Sequence, residues 1–134
     1  MRVVPIASIA AVAAIWVLAA ASSPRSPVLR DVQGYAVATC LARQDNPVLK
    51  EQGQGWAQTV VERGHGDPAA LRAVEQAVKA TLAKGGVAVM RTDGPTPGDH
   101  ALPVLTCGEI VDQPAVRVAV DKAVAKLSAS YRRR

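Results

Sequence analysis

A chain of 134 residues, 49% hydrophobic with a net charge of +5, holds one core at most. It contains no Phe, and aromatics make up 3% of it. The positive balance is therefore not interleaved with stacking rings as in nucleic-acid binders, and much of it sits in the terminal Arg132-Arg133-Arg134, so nucleic acid is not an expected partner.

Residues 1–21 have the layout of a secretory signal: Arg2, an apolar stretch from Val3, and a small-residue exit at Ala19-Ala20-Ala21. The alternative is an uncleaved anchor, because the stretch approaches the roughly 20 residues that span a bilayer. Only in that case is a membrane a partner. Residues 22–30, with Pro24 and Pro27 among serines, read as a linker. A helical domain is expected over 31–129 and a basic tail over 130–134.

Five short helices are predicted after the linker. The first spans about Asp31 to Gln44, where Val32, Tyr35, Ala36, Thr39 and Cys40 share one face. Asn46-Pro47, a cap followed by proline, opens a second helix with Leu49, Trp56 and Val60 on one side. Gly53 and Gly55 predict a bend or break in it near Gln52. Asp67-Pro68 repeats the signature for a third helix, striped by Leu71, Val74, Val78 and Leu82 and stopped at Gly85-Gly86. Val87 to Met90 suits a short strand or a packed approach to an exposed loop, Thr92 to Gly98. A fourth helix is expected from Asp99, with Val104, Cys107 and Val111 on its inner face. The fifth begins near Asp112 to Pro114 and carries Val116, Val120, Val124 and Leu127. The fold class is all-α: a compact bundle of about five short helices closed by one disulfide.

That disulfide joins Cys40 to Cys107, the only cysteines of an exported chain, both on apolar helix faces. On the loop-entropy model such a bridge contributes up to about 4 kcal/mol. A zinc site built from Cys40, Cys107, His65 and His100 is disfavoured because no closely spaced ligand pair preorganises it, so neither a metal nor a cofactor is expected. His65 and His100 read as surface residues beside helix starts. Phosphate loops, Gly-x-Ser-x-Gly, His-Glu-x-x-His and carboxylate clusters are all missing, so the chain is not expected to be an enzyme. Recognition remains, with the polar face of the third helix and the loop from Thr92 to His100 as the surfaces the core does not use.

Gly34-Tyr35-Ala36-Val37-Ala38-Thr39-Cys40-Leu41-Ala42 resembles the opening Tyr-Ala-x-x-x-Cys helix of the Tai4-type immunity proteins, which neutralise type VI secretion amidase effectors of the Tae4 type. The alanine-rich segment Asp67 to Lys84, the run Val104-Leu105-Thr106-Cys107-Gly108-Glu109-Ile110-Val111 and a closing helix at Pro114 to Leu127 continue the resemblance. Gly53 to Gly55 and Gly94 to Gly98 depart from it. The resemblance implies a periplasmic homodimer that occludes the cleft of a peptidoglycan amidase with a Cys-His pair. Family contacts come from a helix and an inter-helix loop; on this chain Glu75 and Lys79 on the third helix and Asp93 and Asp99 beside the loop are the partner-binding candidates, chosen for their expected exposure and not carried over from a family motif. The alternative is a non-catalytic structural or adaptor domain of the cell envelope.

Overall fold

The computed structural model describes residues 24–133. The expected signal over 1–21, the first residues of the linker and Arg134 of the tail lie outside the described residues. Among the described residues five α-helices form: α1 (Pro27–Leu41), α2 (Pro47–Arg63), α3 (Ala69–Gly85), α4 (Pro103–Gly108) and α5 (Pro114–Tyr131). Between α3 and α4 the chain makes two strands, β1 (Val89–Thr92) and β2 (Gly98–Ala101), and a 3-10 turn at Ile110–Asp112 precedes α5. Cys40 and Cys107 are bridged, with Cα atoms 5.4 Å apart. The bundle is the expected all-α one, with a hairpin added.

Helix α1 is the central element, packed against α2, α3, α4 and α5. Its buried residues Asp31, Val32, Gly34, Ala36, Ala38, Thr39 and Cys40 run around most of its circumference, so small side chains dominate it. From α3 come Leu71, Val74 and Val78, and from α5 Val116, Val120, Ala123 and Leu127, completing a core of Val, Ala and a few larger aliphatics.

Four expectations change. Helix α1 starts at Pro27, not Asp31: Ser26 Oγ accepts from Leu29 N at 3.3 Å, and Pro27 occupies the first turn. Ser26-Pro27 is thus the same cap-then-proline signature as Asn46-Pro47, and residues 27–30 belong to the helix rather than the 22–30 linker. At its other end α1 stops at Leu41, and Gln44 turns back so that Nε2 donates to the Cys40 carbonyl at 3.0 Å. Helix α5 continues to Tyr131, so the folded unit extends beyond 31–129 and the first two residues of the 130–134 tail are helical. Finally, α2 is continuous through Gly53 and Gly55.

The continuity of α2 follows from packing. Gly53 lies directly on the α1 backbone, where an added Cβ would sit 2.6 Å from Ala38 O and 2.8 Å from Leu41 C, with Ala42 N closer still. Across the same interface Gly34 accommodates the Trp56 indole, whose Cζ2 would lie 3.2 Å from a Cβ. The close approach recovers contact that outweighs the helix propensity lost.

A buried carboxylate joins the helix ends. Asp31 is 2% exposed. Arg63 Nη2 at the end of α2 donates to its Oδ1 at 2.8 Å, Arg30 Nε stands 3.4 Å from the same oxygen, and Tyr131 Oη at the end of α5 donates to Oδ2 at 2.9 Å. Burial of a charge is tolerated because both oxygens are engaged.

Four mutational outcomes follow. Gly53→Ala lowers stability by about 2 kcal/mol or more, since the new methyl meets backbone that cannot rotate away. Gly55→Ala, with nothing within 4 Å of its Cβ position, raises stability by about 1 kcal/mol. Asp31→Asn costs about 1–3 kcal/mol, moderated by the solvent exposure of Arg63, and Tyr131→Phe costs about 1 kcal/mol. Urea titrations of the four variants check the order.

Candidate functional site

The segment between α3 and α5 is where the chain leaves the bundle. Gly86, at φ 65°, ends α3 in a conformation suited to glycine, and Val87 to Met90 then favours extended backbone. Pro95 and Pro97 prevent the helix from resuming, and residues 93–97 close an antiparallel hairpin. Val89 pairs with Ala101, Met90 with His100, Arg91 with Asp99 and Thr92 with Gly98. Opposed residues share a face. One face therefore carries Val89 and the Arg91–Asp99 ion pair (3.3 Å), and the other carries Met90 and His100.

At its base the hairpin is tied to the first turn of α4. Leu102 N donates to Ala88 O at 2.7 Å, Ala88 N donates to Thr106 Oγ1 at 2.9 Å, and Thr106 Oγ1 donates to Leu102 O at 3.1 Å. Beyond these bonds the strands pack chiefly on each other. Val89 is 57% exposed, Met90 46%, Val104 63% and Leu105 46%, so four large apolar side chains of this segment reach solvent, Val89 and Met90 from opposite faces of the hairpin.

Charge distinguishes the same segment. No Lys or Arg occurs between Thr92 and Val116, whereas Asp93, Asp99, Glu109 and Asp112 do. An acidic arm thus projects from a chain of net charge +5. Asp99 and Asp112 each meet a flanking arginine, Asp112 through Arg117 at 3.2 Å.

The structure divides the four candidate binding residues between two elements. Asp93 and Asp99 are on the exposed hairpin. Asp99 belongs to β2 and not to the start of a helix, because α4 opens four residues later at Pro103. Glu75 and Lys79 lie on α3. Glu75 Oε1 accepts from Arg43 Nη2 at 3.0 Å and borders a cleft of about 370 Å³ with Tyr35, Thr39 and Gln54. Lys79 is exposed one turn further on, beside the turn that holds Gln44 and Asp45.

Val104 departs from its periodic face, whereas Trp56 keeps the α1-facing side of α2 but stays at its rim. Val104 is exposed rather than core-facing, because α4 ends at Gly108 and the chain tightens into the 3-10 turn, which makes Ile110 the buried residue. Trp56 is 39% exposed and covers Gly34 at the rim. Met90 and Leu105 stand outside the periodic stripes. Their signal is apolar character in a stretch crowded with Gly, Pro and Asp.

His65 lies in the turn between α2 and α3, edge-on to the Tyr131 ring at 5.5 Å, and His100 is exposed on β2. With both cysteines in the bridge, the four-ligand zinc arrangement cannot form. Among the described residues no three His, Cys, Asp or Glu side chains gather to hold a metal.

No family model, curated protein or solved structure matches the chain.

Tyr35 reports on the cleft beside Glu75. Burial raises its pKa above the ordinary 10.0 and the Glu75 charge adds to the rise, against a hydrogen bond with Thr39 and the nearby Arg43. The folded chain holds this proton to higher pH than the unfolded chain, so stability declines as pH climbs from about 10 through the folded value. Tyr35→Phe abolishes that part of the alkaline loss, as melting curves recorded across the window on both proteins test.

Proposed function

We propose that this chain is a periplasmic immunity protein that binds and occludes the active-site cleft of a type VI secretion peptidoglycan amidase. The observation that carries the reading is the projecting hairpin, with Val89 and Met90 exposed on its two faces and Val104 and Leu105 exposed on the helix that follows. An amidase that cleaves peptide stems needs an open groove. An arm whose four-residue strands extend roughly 13 Å, at about 3.4 Å per residue, is of a size to fill one. Inhibition of this kind requires shape and complementarity and no chemistry from the inhibitor. Met90 supplies an adaptable apolar contact, and Asp93 and Asp99 favour a basic rim on the partner.

Other features agree with the reading. A disulfide suits an oxidising compartment, and none of the described helices is long and apolar enough to cross a membrane. A bundle stapled between Cys40 and Cys107 loses little conformational freedom on docking. Glu75 and Lys79, on a different element, form a second contact region in a homodimer or against the rim of the effector.

The test is coexpression in the periplasm with the amidase effector encoded beside this chain. Protection from lysis is expected, together with stoichiometric inhibition of stem-peptide hydrolysis in vitro. Met90→Asp raises the inhibition constant at least about tenfold without lowering the melting temperature, since Met90 contributes to an interface and not to the core. Lysis undiminished by the wild-type protein rejects the assignment.

A further inference from the structure

We infer that the Cys40–Cys107 bridge is a one-way redox clamp on the arm formed by residues 87–113: the disulfide holds the arm against the helical body, and the dithiol form releases it. Its consequence for inhibition, that the chain docks only after reaching an oxidising compartment, rests on the function proposed above. The clamp itself rests on packing.

Apart from the bridge, the arm is attached through its C-terminal part, where α4 and the 3-10 turn meet α1 and α5. Its strands pack chiefly on each other, and of the described residues in α4, Cys107 is the one that is buried. Val104 and Leu105, the largest side chains of that helix, face solvent. The next turn adds one buried side chain, Ile110. Between arm and body runs a groove of about 560 Å³, lined by Ala80 and Lys84 from α3, Thr106 and Glu109 from the arm, and Gln113. Ile110 and the partly buried Val111 are a small anchor for so long an excursion, whose ordering loses backbone freedom at every residue. Helices α1, α3 and α5, by contrast, meet through Val32, Val74, Val78, Val116, Val120 and Leu127, and α2 meets α1 at Gly53. None of these contacts involves a sulfur.

Access to the sulfurs sets the direction. Cys40 and Cys107 are both 0% exposed. Gln44, itself 8% exposed, closes over them, with Nε2 3.5 Å from Cys107 Sγ and 3.9 Å from Cys40 Sγ. Thiol–disulfide exchange needs a thiolate to reach a sulfur. Oxidation must therefore occur while the arm is open. One cysteine thiolate attacks a disulfide oxidant to form a mixed disulfide. The other displaces it, the two cysteines losing two electrons and two protons as the oxidant becomes a dithiol. Closure then hides the new bond from reductants, and the native state stays oxidised until it opens.

Hydrogen exchange read by mass spectrometry compares the exported protein with Cys40→Ala/Cys107→Ala. Amides of α1, α2, α3 and α5 are expected to stay protected in the variant, while those of residues 89–108 exchange at least about tenfold faster. In the oxidised protein, a thiol reductant with an alkylating agent is expected to modify neither cysteine until denaturant is added. Equal protection of the arm in both proteins overturns the clamp, as does loss of the four body helices in the variant, because the bridge then holds the whole fold. Ready reduction of the native protein overturns its one-way character. A released arm in the variant, with no inhibition of the amidase by the oxidised protein, leaves the clamp standing and rejects the proposed function alone.

Discussion

A core without phenylalanine must draw its helices close, because valine and alanine fill little space between axes set far apart. Helix α1 carries most of that constraint. Gly34, Ala36 and Ala38 keep its surface thin, and the α1–α2 approach is so tight at Gly53 that no side chain fits there. Alanine-rich packing of this kind buries modest apolar area per residue. A buried ion pair in the body, and a covalent bridge to the arm, therefore carry weight that a larger core would supply by itself.

The two reinforcements act at opposite ends of α1. Near its N-terminus, Asp31 draws in the end of α2 through Arg63 and the end of α5 through Tyr131. At its C-terminus, Cys40 fastens α4, and Gln44 joins the helix end to the bridge. Between them lie the aliphatic contacts with α3 and α5. The central helix is thus held at both ends by specific bonds and in the middle by non-directional packing, a division suited to a small domain that must keep one arrangement.

Against this body the hairpin follows different physics. Proline and glycine forbid a helix, and the strands depend mainly on each other, on the Arg91–Asp99 pair and on three hydrogen bonds at the base. Isolated two-stranded hairpins are marginal in water. This arm persists because its ends are anchored, by Gly86 on one side and by α4 on the other. Exposure of Val89, Met90, Val104 and Leu105 opposes solubility, and the acids along the segment offset that cost by keeping its surface charged.

The amino-acid sequence by itself determined the helical class, the boundaries marked by Asn46-Pro47, Asp67-Pro68 and Gly85-Gly86, the aliphatic stripes of α3 and α5, and the pairing of the two cysteines. These depend on spacing and local backbone chemistry, which a single chain displays openly. Tertiary structure alone decided that Gly53 is a contact rather than a break, that Asp31 meets Tyr131, that Val104 faces water, and that the Gly-Pro segment stands out as a hairpin. Each depends on groups far apart in the chain, on Arg63 or Tyr131 arriving beside Asp31, or on the Ala38 backbone arriving beside Gly53. No periodicity encodes such meetings, since they arise only when packed helices bring distant positions within a few ångströms.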